Sequence, residues 1–440
     1  MRNDIALSRY LQRHIEPDLP DCLSPGGRWH NSLVVPAYGE SPELLQQLAV
    51  TLANTGATLV ILVLNRPDTE PDEAVNQSLR DAVATLPGVA PALYRLGPDI
   101  DLFCYDLERL AGPTPAKQGV GLARKTGCDI ALRCKAQGAI LGDWICCTDA
   151  DALLPRDYFA RLESIDPAAT AAVFPFEHTP GVDPNCNKAT ALYELRLHYY
   201  VLGLEYAASP SAWHALGSCL AVRADAYAQV RGFPRRAGAE DFYLLNKVSK
   251  LGPVARLRGE AIGLRSRPSR RVPFGTGPAV KDIAASGPLE KQPRFYHPVC
   301  FDVLREVLRS IPALQAADAE NLPHMLAAAG LSESLAQLAS KILHQMGLEG
   351  VIAHCRTHGK TQAQFLRQFH QWFDAFRTLK FIHAMRAAGW PDQSLQALPA
   401  MTPVLWPAGD VDPRDIPALR ELLRRHWGWH SPVSVSPADW

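Results

Sequence analysis

Short apolar runs of strand length, set between helix-length segments, constrain this chain more than any other feature. Leu33-Val34-Val35-Pro36, Thr58 to Leu64 and Trp144-Ile145-Cys146-Cys147-Thr148 have almost no polar alternation. Strands buried on both faces read that way. Ala92 to Leu96 reads as a further short strand. Between these runs, Ser41 to Asn54, Asp72 to Leu86 and Gly119 to Leu141 have helical spacing, with Ser41 expected as an N-cap and Pro42 at the first helical position. Strands alternating with helices predict an α/β fold with a mostly parallel sheet flanked by helices. Ligands of such sheets bind outside the carboxyl ends of the strands.

Asp149-Ala150-Asp151 stands at one such end, directly after the Trp144–Thr148 run. Two carboxylates one residue apart, where a strand opens into a loop, offer the hard oxygen ligands that suit Mg²⁺ or Mn²⁺. Asp99-Ile100-Asp101 and Asp410-Val411-Asp412 have the same spacing but follow Gly and Pro rather than a buried strand, so they read as loop carboxylates.

The charge balance excludes some partners. Lys+Arg and Asp+Glu both number 45, so nothing implies nucleic acid or an anionic membrane as a bulk partner. No Cys-x-x-Cys occurs, and Cys134, Cys146, Cys147 and Cys219 lie in apolar stretches where thiols act as small hydrophobes. The start, Met1-Arg2-Asn3-Asp4, has no apolar secretory core, and no run of 18 apolar residues suggests a transmembrane segment. A cytoplasmic protein is the expectation.

From about Pro288 the pattern turns helical, over Phe301 to Ser310, Ser332 to Met346 and Thr361 to Ala388. Thr361 and Gln364 fit a capping box. Phe365, Phe369, Trp372, Phe376 and Leu379 form one apolar stripe, read as packing. The chain thus divides into an N-terminal extension (1–30), an α/β domain (31–287) and a helical C-terminal region (288–440).

Several segments, taken in order, resemble GT-A-fold glycosyltransferases of the family-2 type. Val34-Val35-Pro36-Ala37-Tyr38 is similar to that family's "VxxPxYNE" opening, with Gly39-Glu40 in place of Asn-Glu. Gly121 to Gly127 is similar to its "GxxxARNxG" helix, with Arg124-Lys125 where Arg-Asn is usual. Gly142-Asp143-Trp144-Ile145 and Asp149-Ala150-Asp151 resemble "GDxIxxxDAD". Gly217 to Arg223, Gly232-Phe233-Pro234 and Glu240-Asp241 match its acceptor-side block, and Leu264 to Gly277 resembles its "SxRxxxRxxxGxG" loop.

The resemblance implies a metal-dependent hexosyltransferase that takes a nucleotide-diphosphate sugar as donor and a hydroxyl group as acceptor. It implies Asp149 and Asp151 as metal ligands, and Asp241 as the base of an inverting reaction with Glu240 as alternate. Pro36, Tyr38, Glu40, Asn65, Arg124, Asp149, Arg267 and Arg271 would hold the donor. Guanidinium groups in a Pro/Gly-rich loop suit diphosphate oxygens. Asn65 replaces the usual Asp-Asp and can still hydrogen-bond a base or ribose. Lys125 reads as a solvent-facing helix residue. His178 and His297 are available as a third metal ligand but read as surface residues. Trp213-His214 could stack on a sugar ring, though packing is the preferred role. Other readings stay open: a retaining GT-A transferase with a small soluble acceptor, peripheral contact with a lipid-linked acceptor, or a non-catalytic nucleotide-sugar-binding relative. A sugar-1-phosphate nucleotidyltransferase is disfavoured, because its Gly-x-Gly-x-Arg opening is replaced here by Pro36 to Glu40.

Overall fold

A computed structural model describes residues 2–20, 28–267, 276–287, 291–398, 411–412 and 414–432. Two compact units emerge. The first comprises Met1–Thr190, Ala215–Lys281 and Trp427–Trp440, and the second Ala191–His214 and Asp282–His426.

The first unit is α/β. Its strands, in chain order, are β1 (Asn31–Ala37), β2 (Thr58–Leu64), β3 (Gly88–Ala90), β4 (Leu93–Gly97), β5 (Ile100–Asp106), β6 (Trp144–Cys147), β7 (Ala152–Leu153), β8 (Ala171–Val173), β9 (Phe176–Thr179), β10 (Leu220–Arg223), β11 (Val254–Arg256), β12 (Gly259–Glu260) and β13 (Ile262–Arg265). Nine of them form one sheet in the order β11-β8-β10-β6-β1-β2-β5-β4-β3. The central strands β6, β1, β2 and β5 run parallel, as the alternating pattern predicts. β10 enters antiparallel between β6 and β8. A smaller sheet, β7-β13-β9, lies beside the end of β6 in sequence and carries Arg265 into the Arg267 segment.

β2 is buried along its whole length, as its unbroken apolar sequence requires. Each such Leu, Ile or Val contributes about 1.5–3 kcal/mol. The Gly119–Ala136 helix lies so close to this sheet that a Cβ at Gly127 would run into Val34 and sit 3.1 Å from Val63. Gly127→Ala is therefore expected to cost about 1–3 kcal/mol by overpacking, read as a lower urea midpoint.

Several local expectations are corrected. Ser41 does not cap: the helix after β1 runs Glu43–Thr51, and its start makes no side-chain cap hydrogen bond. The helix expected to reach Leu141 stops at Ala136, because Gly138 takes a positive φ of 76° and closes a Schellman turn. There the Ala139 amide bonds the Cys134 carbonyl at 2.9 Å, and the Gly138 amide bonds that of Lys135 at 3.0 Å. Asp101 is not a loop carboxylate. It sits in β5, buried, accepting from Trp29 Nε1 at 2.9 Å and paired with Arg95 at 3.2 Å. Asp99 is in the turn before it, and Asp412 pairs with Arg414. Lys125 does not face solvent. The N-terminal helix Arg2–Arg13 and the turn after it supply its partners: Tyr10 Oη at 2.8 Å, the His14 carbonyl at 2.8 Å and Glu16 at 3.5 Å. Asp129, one helical turn on and fully buried, accepts at 2.6 Å.

The second unit is helical. The Thr361/Gln364 capping box is present. The expected single helix from Thr361 to Ala388 is two, Gln362–Trp372 and Ala375–Ala387. Asp374 breaks it by accepting from the Arg377 amide and capping the second piece. Phe365 and Phe369 are fully buried and join Phe373 and Phe381 in one aromatic core, whereas Trp372, Phe376 and Leu379 are half-buried, so only the first part of the stripe packs as read. Among the described residues no helix is long and apolar enough to cross a membrane.

Candidate active site

The site begins where β1 and β6 part. In this parallel pair the Thr148 amide donates to the Val34 carbonyl at 3.1 Å, and the register ends at Val34/Cys147. The next rung needs an amide at Pro36, which has none. Pairing stops there, and Asp149-Ala150-Asp151 leaves the sheet at its carboxyl edge. Both carboxylates keep access to solvent, with 41% of the Asp149 side chain and 26% of the Asp151 side chain exposed.

Arg124 joins three separate segments. From the Gly119–Ala136 helix its guanidinium is ion-paired with Asp149, bonds Glu240 Oε1 at 2.9 Å through Nε and bonds the Gly217 carbonyl at 2.9 Å through Nη1. The side chain is buried. It passes so near Gly217 that any Cβ there would collide with the guanidinium. Expected site residues from three motifs are thus drawn into one charge cluster.

Glu240 and Asp241 open the Glu240–Val248 helix, and Ala239 before them takes the left-handed conformation, φ 56°. That backbone is uncommon for a residue with a Cβ and marks a position held by its surroundings. The two carboxylates have different environments. Glu240 is buried against Arg124. Asp241 is half-buried and accepts its neighbour Phe242's amide at 2.6 Å. Burial among protein atoms, then the charge of Glu240, push Asp241 up to about 7, against the opposing pull of the Phe242 amide and Arg124. A carboxyl crowded by another carboxylate holds its proton this way, against the helix start, which favours the charged form.

On the other side of Asp151, Arg267 Nη2 sits 2.7 Å from Asp151 and 3.3 Å from Glu40. Arg267 therefore ties the turn after β1 to the Asp-Ala-Asp loop. Arg271 lies outside the described residues. Tyr38 donates to Glu70 at 2.6 Å, and this bond, with the Asp72 amide, holds the Glu70 carboxyl below its usual range. Asn65 is buried at the end of β2.

Behind Asn65 lies a network that the sequence reading did not find. Arg66 bonds Glu108 at 2.6 Å, and Arg80 bonds Glu108 at 2.5 Å and Asp106 at 2.7 Å. Asp106 ends β5, a strand the sequence pattern does not reveal, and Glu108 follows it. An apolar run ending in Asp106-x-Glu108 was the available signal.

Among the described residues, no group of three or more His, Cys, Asp and Glu side chains is placed to hold a metal. Two carboxylates without a third protein ligand suit a cation whose remaining positions are filled by water and substrate phosphates. His178 is buried in β9 rather than on the surface, and His297 packs edge-on against Trp390. Trp213 is buried.

No protein-family model matches the sequence. No curated protein matches it. Among solved structures, the chain is similar to residues 1–349 of S. aureus TarS, at 14% identity over 79% of this chain and 91% of that chain, with a TM-score of 0.34. It is similar to the mannosyltransferase PcManGT from Pyrobaculum calidifontis, solved with GDP-Man and Mn²⁺, at 17% identity over 84% of this chain and 95% of that chain, with a TM-score of 0.35. A third likeness is to glucosyl-3-phosphoglycerate synthase from Mycobacterium tuberculosis, at 13% identity over 63% of this chain and 80% of that chain, with a TM-score of 0.33.

Proposed function

We propose that this chain is a metal-dependent glycosyltransferase of the GT-A type, moving a hexose from a nucleotide-diphosphate sugar to a hydroxyl acceptor with inversion. The observation that carries the reading is Arg124, whose one guanidinium joins Asp149 of the Asp-Ala-Asp loop to Glu240 beside Asp241. Cation-holding carboxylates and a proton-holding carboxylate thereby share one edge of a parallel sheet, where ligands of such sheets bind.

In this reading Asp149 and Asp151 hold Mn²⁺ or Mg²⁺. When bound, the ion supplies Lewis-acid stabilisation of the departing diphosphate and a template for its oxygens. Arg267 and Arg271 add guanidinium donors for the same oxygens. Arg267 would exchange its contact with Asp151 for the substrate. Pro36, Tyr38, Glu40 and Asn65 line the turns that receive the nucleoside. Asp241 accepts the proton of the attacking hydroxyl as the new bond to the anomeric carbon forms and the bond to the diphosphate breaks. Arg124 is ion-paired with Glu240, and the charge of Glu240 raises the basicity of Asp241. The reading assigns this chemistry to 31–287 and leaves 288–440 as an accessory helical region. It also includes a cytoplasmic setting, supported by the free thiols among the described cysteines.

The test is donor turnover. Asp151→Ala is expected to lower Mn²⁺-dependent release of nucleoside diphosphate by about 100-fold or more, measured by chromatography. Unchanged metal-dependent release in that variant would end the assignment. Wild-type protein that binds nucleotide sugar and never releases diphosphate would favour a non-catalytic binding protein instead.

A further inference from the structure

We infer that Asn76 is a positioning residue that sets donor affinity by locking the turn after β1 to the turn after β2. The inference rests on the glycosyltransferase reading and concerns a residue that touches neither metal nor base. Asn76 occupies the cap position of the Gln77–Ala84 helix, and its carbonyl accepts the Arg80 amide at 3.0 Å. An Asn there ordinarily turns its side chain back to cap the helix. This one makes no side-chain cap bond.

Its carboxamide is spent elsewhere. Oδ1 accepts the Gly39 amide at 2.9 Å. Nδ2 donates to the Asn65 carbonyl at 3.1 Å and to Glu108 at 3.3 Å. Gly39 stands between Tyr38 and Glu40, and has φ 58°. The fully buried Asn76 therefore holds the backbone of both nucleoside-facing turns in one register, with the Arg66–Glu108–Arg80 network fixing it from behind. A helix that forgoes its own cap to bridge two loops gains nothing locally. The gain is in the loops, whose backbone must be preset for a ligand to bind without an ordering cost.

Asn76→Asp separates the two ties. A carboxylate still accepts from Gly39 but loses both donated bonds and sets a negative charge against Glu108, so the turn after β2 is pushed away while that after β1 is kept. Asn76→Ala releases both. For the folded variants, the KM for the donor and the Kd for the matching nucleoside diphosphate are expected to rise about tenfold or more for Asp and for Ala alike. The kcat at saturating donor should stay within about threefold, because an interaction used equally in ground and transition states changes KM alone. If Asp does not fold, the Ala variant and its Kd by calorimetry carry the same comparison. Unchanged KM and Kd in a folded variant, or a fall in kcat at constant KM, would overturn the positioning role. Failure of the donor reading itself shows separately, as wild-type protein that binds no nucleotide.

Discussion

Asp241→Asn is expected to cut turnover by about 10²–10⁴-fold, the range that a positioned general base supplies. The same variant is expected to be more stable than the wild type above neutral pH. Both effects come from one carboxyl group. Burial and then the charge of Glu240 lift Asp241 to about 7 in the folded protein. In the unfolded chain it titrates near the ordinary Asp value of about 4. The folded state thus holds this proton the more tightly. Its stabilising contribution is complete below about pH 4 and is lost as the pH rises through about 7. Asn carries no charge beside Glu240 and escapes that loss. Activity has the opposite slope, because the base must be ionised, so wild-type kcat/KM climbs with pH through about 7. Melting curves and rate profiles at pH 5.5 to about 8.5 read both slopes. If Asp241 served only as an acidic residue in the first helical turn, Asn would instead lose about 0.3–1 kcal/mol at pH 8 and leave turnover intact.

Arg124→Met is expected to destabilise the fold by about 3–5 kcal/mol, the cost of leaving a buried charge without its partner. Glu240 bears that cost, since only 5% of its side chain is exposed, whereas the Asp149 side chain, 41% exposed, can rehydrate. Adding Glu240→Gln to the Arg124→Met protein should therefore restore much of the loss. Strict additivity of the two changes in urea unfolding would show that the pair is not coupled. Arg124→Lys should not rescue, because one ammonium cannot serve Asp149, Glu240 and the Gly217 carbonyl from a single position.

What the sequence discloses here follows from how local each signal is. β2 and β6 were legible because a strand buried on both faces has no polar residue to interrupt it. The Asp-Ala-Asp loop was legible because it follows such a strand. β5 was obscured by Asp99 and Asp101, and the burial of Asp101 depends on Trp29, far away in sequence. Helical spacing likewise cannot show that an N-terminal helix covers the face that carries Lys125. The Arg66–Glu108–Arg80 network and the bridging role of Asn76 join segments about 30 to 40 residues apart, and neither has a local signature. Arg124 was found through its motif, while its hold on Glu240 emerged only from three-dimensional geometry.

The most direct test of the account is calorimetric titration of the wild-type protein and Asp151→Ala with UDP and GDP, each with and without Mn²⁺. The account predicts that one nucleoside diphosphate binds the wild type far more tightly with Mn²⁺, and that Asp151→Ala loses this gain. Absence of binding by either nucleotide, or binding indifferent to both Mn²⁺ and Asp151, would contradict it.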